Sequence, residues 1–285
     1  PELGPNVHWL RPNLRDARMV VPDRPHSKQE QRQRIDRSRT FFVNSNADRL
    51  RGGSLQAKSG RRLLAIGDSV TFGWGVADEQ SYPAQLEALL RGGGADVQVL
   101  NAGVPAQSLY GMATFLERKG PALELDGVLW TRRLQLNLPQ PEQDYRRHLD
   151  AAQRALPGVP FMVLLPPISR FDPYGTEQYA DEGAALRRVL ELPVLELTDP
   201  LWAAQTGGAS LQVGPQELVL TNEGQELVRV ARSPHDLPQE LYTLFDEDPA
   251  LKEHLFFDSG HPDAEGFGVF VKAVAEQLEE SGWMG

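Results

Sequence analysis

Leu63-Leu64-Ala65-Ile66-Gly67-Asp68-Ser69-Val70-Thr71-Phe72-Gly73-Trp74-Gly75 decides how the rest of the chain is read. The uninterrupted apolar run Leu63 to Ile66 reads as a strand buried on both faces, the signature of a parallel sheet. Gly67 ends it, because glycine tolerates the backbone angles of a sharp turn. Asp68 and Ser69 fall in that turn, at the carboxyl edge of the strand, where open α/β sheets bind their ligands. A plain turn made by Asp68 and Ser69 is the competing reading.

Outward from this stretch, strand-like and helix-like pieces alternate, which argues for a parallel sheet flanked by helices. Tyr82, Leu86, Leu89 and Leu90 mark one helix face, and Gly92-Gly93-Gly94 stops that helix. Strands are expected at Val97 to Leu100, Gly127 to Thr131, Phe161 to Leu165 and Pro193 to Leu197, making five with the first. Helices are expected over Ser108 to Lys119, 141–156 and about 177–191. Glu217 to Thr221 and Gln225 to Val230 alternate apolar and polar around Asn222-Glu223-Gly224, which reads as a hairpin within an insertion at about 205–250. A last helix begins near Asp263, with Phe267, Phe270, Val271, Val274 and Leu278 at core spacing.

Residues 1–62 read as a separate arm, poor in periodicity, with a short apolar patch at Thr40 to Val43. The arm holds 14 Lys and Arg against 6 Asp and Glu, while residues 63–285 hold 15 against 33. The acidic body argues against nucleic acid as a partner. The basic arm suits docking on that body, or an anionic membrane surface if an anchor precedes it. The sequence starts at Pro1 rather than Met, which leaves room for a removed signal peptide or anchor. An exported or membrane-anchored protein is expected rather than a cytoplasmic one. There is no cysteine, hence no disulfide, thiolate metal site or cysteine nucleophile. No phosphate-binding glycine loop and no His-Glu-x-x-His helix occur, so no cofactor and no metal are expected.

Just ahead of the last helix stands Asp258-Ser259-Gly260-His261-Pro262. An imidazole takes a proton from serine when a carboxylate on its other nitrogen fixes tautomer and orientation. Three residues across a turn can bring the Asp258 and His261 side chains together. Ser69, Asp258 and His261 are thus candidates for nucleophile, orienting acid and general base. His8, His26, His148, His235 and His254 lack such a setting.

Gly67-Asp68-Ser69 near the start of the α/β part and Asp258-Ser259-Gly260-His261 near its end resemble the SGNH, or GDSL-type, hydrolases. Asn101-Ala102-Gly103 resembles that family's second motif, and Val43-Asn44-Ser45 with Leu50-Arg51-Gly52 resembles the arm of some exported bacterial members. The resemblance, over residues 63–285, implies a three-layer sandwich around a five-stranded parallel sheet. It implies a serine esterase in which the N–H groups of Ser69 and Gly103 hold the oxyanion. One motif departs. Where the family carries a glycine and then an asparagine after the third strand, this chain has Arg132 and Leu134. Arg132, Arg133 and the amide of Gln135 are candidate substitutes, and Asp68 and Trp74 are further candidate contacts. Trp74 and Trp130 are each as readily core residues as sugar-stacking ones.

Polysaccharide-modifying relatives often vary this motif, so the resemblance implies an ester, foremost an O-acetyl ester on a carbohydrate, as substrate. Two other readings stay open: a polysaccharide O-acyltransferase using the same three residues, and a non-catalytic glycan-binding or assembly protein.

Overall fold

The chain is seen as a computed structural model that describes residues 8–21, 39–134, 139–167, 182–207, 210–214, 216–222, 224–231, 255–256 and 260–284. Two strands of the arm come first. Ala17–Val21 (β1) and Arg39–Val43 (β2) pair antiparallel, with Ala17 opposite Val43. The apolar patch thus finds a partner that sequence periodicity did not show.

The strand–helix alternation then runs Arg61–Gly67 (β3), the one-turn helix Ser69–Phe72 (α1), Tyr82–Gly92 (α2), Val97–Gly103 (β4), Leu109–Lys119 (α3), Gly127–Thr131 (β5), Pro141–Ala155 (α4), Phe161–Leu165 (β6), Glu182–Val189 (α5) and Val194–Glu196 (β7). The five strands β3 to β7 form one parallel sheet in the order β4-β3-β5-β6-β7. Successive residues of a strand face opposite sides, and here both sides are covered. Leu64, Ile66, Val128, Trp130 and Val163 pack with α3, α4 and α5. Leu63, Ala65, Leu129, Met162 and Leu164 pack on the other side with α2 and the two helices Thr198–Thr206 (α6) and Ala264–Glu280 (α7). This explains why the strands read as continuous apolar runs, and it is the three-layer sandwich that the resemblance implied.

Three expectations are refined. Leu89, taken as part of the buried face of α2, is 41% exposed, while Tyr82, Leu86 and Leu90 are buried. Helix α6 was not anticipated. Its Pro200 falls in the first helical turn, where a missing N–H is tolerated. The hairpin forms as Glu217–Asn222 (β9) and Gln225–Ala231 (β10), with an irregular register between Glu226 and Val228. A third strand, Ser210–Val213 (β8), extends it.

The arm is tied to the segment that follows Ser69. Arg51, its side chain 1% exposed, donates to Asp78 Oδ1 at 2.6 Å, the Gly73 carbonyl at 2.8 Å, the Val76 carbonyl at 2.7 Å and the Phe72 carbonyl. Its guanidinium also lies 4.5 Å from the Phe72 ring centre. Burial pulls its pKa below the ordinary arginine value, against the opposing effect of Asp78. Asn44 adds two hydrogen bonds to Asp78 Oδ2, each 2.9 Å. Helix ends present carbonyls that lack intrahelical donors, and Arg51 supplies donors to those of Phe72 and Gly73 at the end of α1. Trp74 packs 5.7 Å from Phe41 of β2 and 6.4 Å from Phe72, in a cluster with Val21 and Val43.

Candidate active site

The turn after β3 puts Ser69 at the first position of α1. Asp68 caps this helix, its Oδ1 accepting from the Val70 N–H at 3.1 Å. On the other side of the sheet edge, Asp263 caps α7 by accepting from the N–H groups of Glu265 and Gly266, both at 2.9 Å. Phe256 bridges to Pro262, and the Asp263 N–H donates to the Leu255 carbonyl at 2.9 Å. These contacts fix the residues that flank His261. Its Nε2 lies 2.7 Å from Ser69 Oγ, across 192 residues of chain. That is a full-strength hydrogen bond, and it joins a hydroxyl to a base in the geometry that nucleophilic catalysis requires. Asp258 and Gln135 lie outside the described residues.

Glycine lets α1 approach the sheet this closely. Gly67 and Gly103 face each other across β3 and β4. A Cβ on Gly67 would fall 2.2 Å from Thr71 Oγ1 and 2.3 Å from the Thr131 carbonyl oxygen. On Gly103 it would fall 2.1 Å from the Phe72 nitrogen and 2.5 Å from the Thr71 carbonyl carbon. The Gly103 N–H donates to Asn101 Oδ1 at 2.9 Å. In this structure the Gly103 N–H is thus engaged by Asn101, and its missing side chain makes room for the helix that carries Ser69. Ala106, three residues on, holds φ +59°, a left-handed conformation that residues bearing a Cβ rarely take. Alanine carries no turn signal in a sequence, so this position is not legible there.

The residues in place of the usual third motif separate cleanly. Arg132 is the first residue beyond β5, and the register Gly67 opposite Thr131 sets it beside the Asp68–Ser69 turn. Its Nη1 pairs with Asp68 Oδ2. Its Nε is buried without a hydrogen-bond partner among the described residues. Arg133 turns away, its Nε 2.8 Å and Nη2 2.7 Å from Glu182 Oε2, with a further contact to the Pro166 carbonyl. The other oxygen of Glu182 accepts from the Leu134 N–H. Burial pushes the Glu182 carboxyl above its usual value, and Arg133 works against that shift. Leu134 is a core residue. Trp130 is fully buried, which removes it as a sugar-stacking platform, while Trp74 is half-buried against the arm. The described residues contain no group of three His, Asp or Glu side chains suited to a metal ion. None of the described helices is long and apolar enough to cross a membrane.

No family model matches the sequence, and no curated protein matches it. Solved structures do. A two-domain esterase active on acetylated mannans, co-crystallized with mannopentaose, aligns with a TM-score of 0.50 at 12% identity, over 78% of this chain and 50% of that one. The lipase/acylhydrolase from Enterococcus faecalis aligns at 0.48 and 14% identity, over 78% of this chain and 96% of that one. A member of the lipolytic protein G-D-S-L family from Veillonella parvula DSM 2008 aligns at 0.41 and 14%, over 77% and 99%. The first of these likenesses shows a common fold, the five-stranded parallel sheet with helices on both faces.

Proposed function

We propose that the chain is a serine ester hydrolase of the SGNH/GDSL type that removes O-acyl groups, acetyl foremost, from a carbohydrate. The observation that carries this is the 2.7 Å contact between Ser69 Oγ and His261 Nε2 at the carboxyl edge of the sheet. In the reaction Ser69 Oγ forms a bond to the acyl carbon, and the carbonyl π electrons move onto oxygen. His261 Nε2 takes the hydroxyl proton and passes it to the leaving alkoxide as the C–O bond breaks. Water, activated by the same imidazole, then attacks the acyl-serine and frees the acid. Asp258, three residues before His261 in sequence, is assigned to hold the other ring nitrogen. The Ser69 N–H is assigned as one oxyanion donor. The esterase of acetylated mannans that shares the fold names the substrate class to try first.

The test is turnover of a chromogenic acetate ester and release of acetate from acetylated mannan by the wild type and by Ser69→Ala. Loss of both activities in a variant that melts like the wild type is expected. Equal turnover in Ser69→Ala would sink the assignment.

A further inference from the structure

Losing one oxyanion donor slows acyl transfer about 100- to 1000-fold. This chain has a buried leucine, Leu134, where the resemblance leads one to look for a donor amide, and the Gly103 N–H is already taken. We propose that Arg132 supplies the missing donor, directing its Nε–H at the oxyanion that forms beside Ser69. This rests on the ester-hydrolase reading above.

Four observations support it. The register of β3 against β5 brings Arg132 level with the nucleophile turn. Its Nη1 is anchored on Asp68, the residue next to Ser69, which aims the planar guanidinium at the turn rather than at solvent. The Nε–H is buried and has no acceptor among the described residues. A buried donor left unmet is costly unless a further partner arrives. Finally, Arg133 is held by Glu182 and Pro166, and Leu134 gives its N–H to Glu182, so this segment is pinned with the Arg132 side chain towards the nucleophile.

The pairing with Asp68 also decides what kind of partner Arg132 serves. Its charge is already compensated, which makes it a poor site for an anionic substrate group and a good directional donor. Such a donor gains strength as negative charge develops on the acyl oxygen in a water-poor site. No proton changes hands in this role: the Nε–H donates a hydrogen bond to the oxyanion and keeps its hydrogen.

The test is the rate at which a fluorophosphonate labels Ser69, followed by intact mass, since its phosphoryl oxygen occupies the same hole. Arg132→Met, which keeps the length of the stem, and Arg132→Lys, which keeps a cation to pair with Asp68 but has no Nε–H, are compared with the wild type. Thermal melts establish that each variant is folded. Labelling slowed about 100-fold by both substitutions is expected. Labelling at the wild-type rate in Arg132→Met overturns the role. Labelling at the wild-type rate in Arg132→Lys also overturns it, because Arg132 then acts only by holding Asp68. No labelling of the wild type at Ser69 refutes instead the hydrolase reading beneath.

Discussion

Placing one methyl group on Gly103 tests the geometry of the site more directly than removing its functional groups. The added Cβ would lie 2.1 Å from the backbone nitrogen of Phe72, whereas ordinary contact begins near 3.4 Å. The obstacle is backbone on both sides, a strand in the sheet and the helix that carries Ser69, so no flexible side chain can swing aside. Relief requires α1 to lift from the sheet by about 1.3 Å, the gap between those distances. A lift of that size carries Ser69 Oγ from 2.7 Å out of hydrogen-bond reach of His261 Nε2. A misplacement near 1 Å costs about 100-fold in rate, and overpacking of this kind costs about 1–3 kcal/mol of stability. Gly103→Ala is therefore expected to lose about two orders of magnitude in kcat on a chromogenic acetate ester while still unfolding cooperatively, with its midpoint lowered. Activity and melting point both unchanged would refute the reasoning, since they would mean that the strand–helix approach is looser than the structure has it.

Three further outcomes are expected. Ala106→Gly relieves a left-handed residue and should raise stability by about 1 kcal/mol, or the Tm by about 2 °C; a lowered Tm would count against strain at that position. Arg51→Ala removes the buried cation that pairs with Asp78 and donates to three carbonyls and should cost about 3–5 kcal/mol in urea unfolding; a loss below about 1 kcal/mol would show that the arm is only loosely attached. The Glu182 carboxyl holds its proton more tightly folded than unfolded, so its contribution to stability should fall as pH rises from its ordinary value of 4.5 through its raised folded value. Glu182→Gln should flatten that part of the stability–pH curve, and a curve of unchanged slope there would contradict the direction given.

Much of the sheet could be read from sequence because a strand covered on both faces has no polar side to confuse it: Gly127–Thr131 and Phe161–Leu165 match their expected bounds residue for residue. Ser69 and His261 were legible for a different reason. Proton transfer needs particular side chains, and Ser69 at a strand end with His261 three residues after a carboxylate and just ahead of the last helix offered them. What escaped depends on contacts distant in sequence. Nothing in Asn101-Ala102-Gly103 reveals that the glycine's missing side chain makes room for the helix that carries Ser69. Nothing around Trp74 announces that Phe41 of the arm waits for it. Arg132 and Arg133 look alike in a string of letters, yet one reaches Asp68 and the other Glu182. Adjacent residues at a strand end point to opposite sides, and only three dimensions reveal what stands on each. The pairing of β1 with β2 was hidden because its two halves are separated by a stretch without strand periodicity.

The 192 residues between hydroxyl and imidazole impose an order in time. While a ribosome is still building this protein, the sheet can assemble strand by strand with Ser69 already exposed at its rim. On the proposed hydrolase reading that serine is chemically idle, since the ring that would draw off its proton has yet to emerge. On the same reading, any fragment broken off before residue 261 keeps Ser69 without its base.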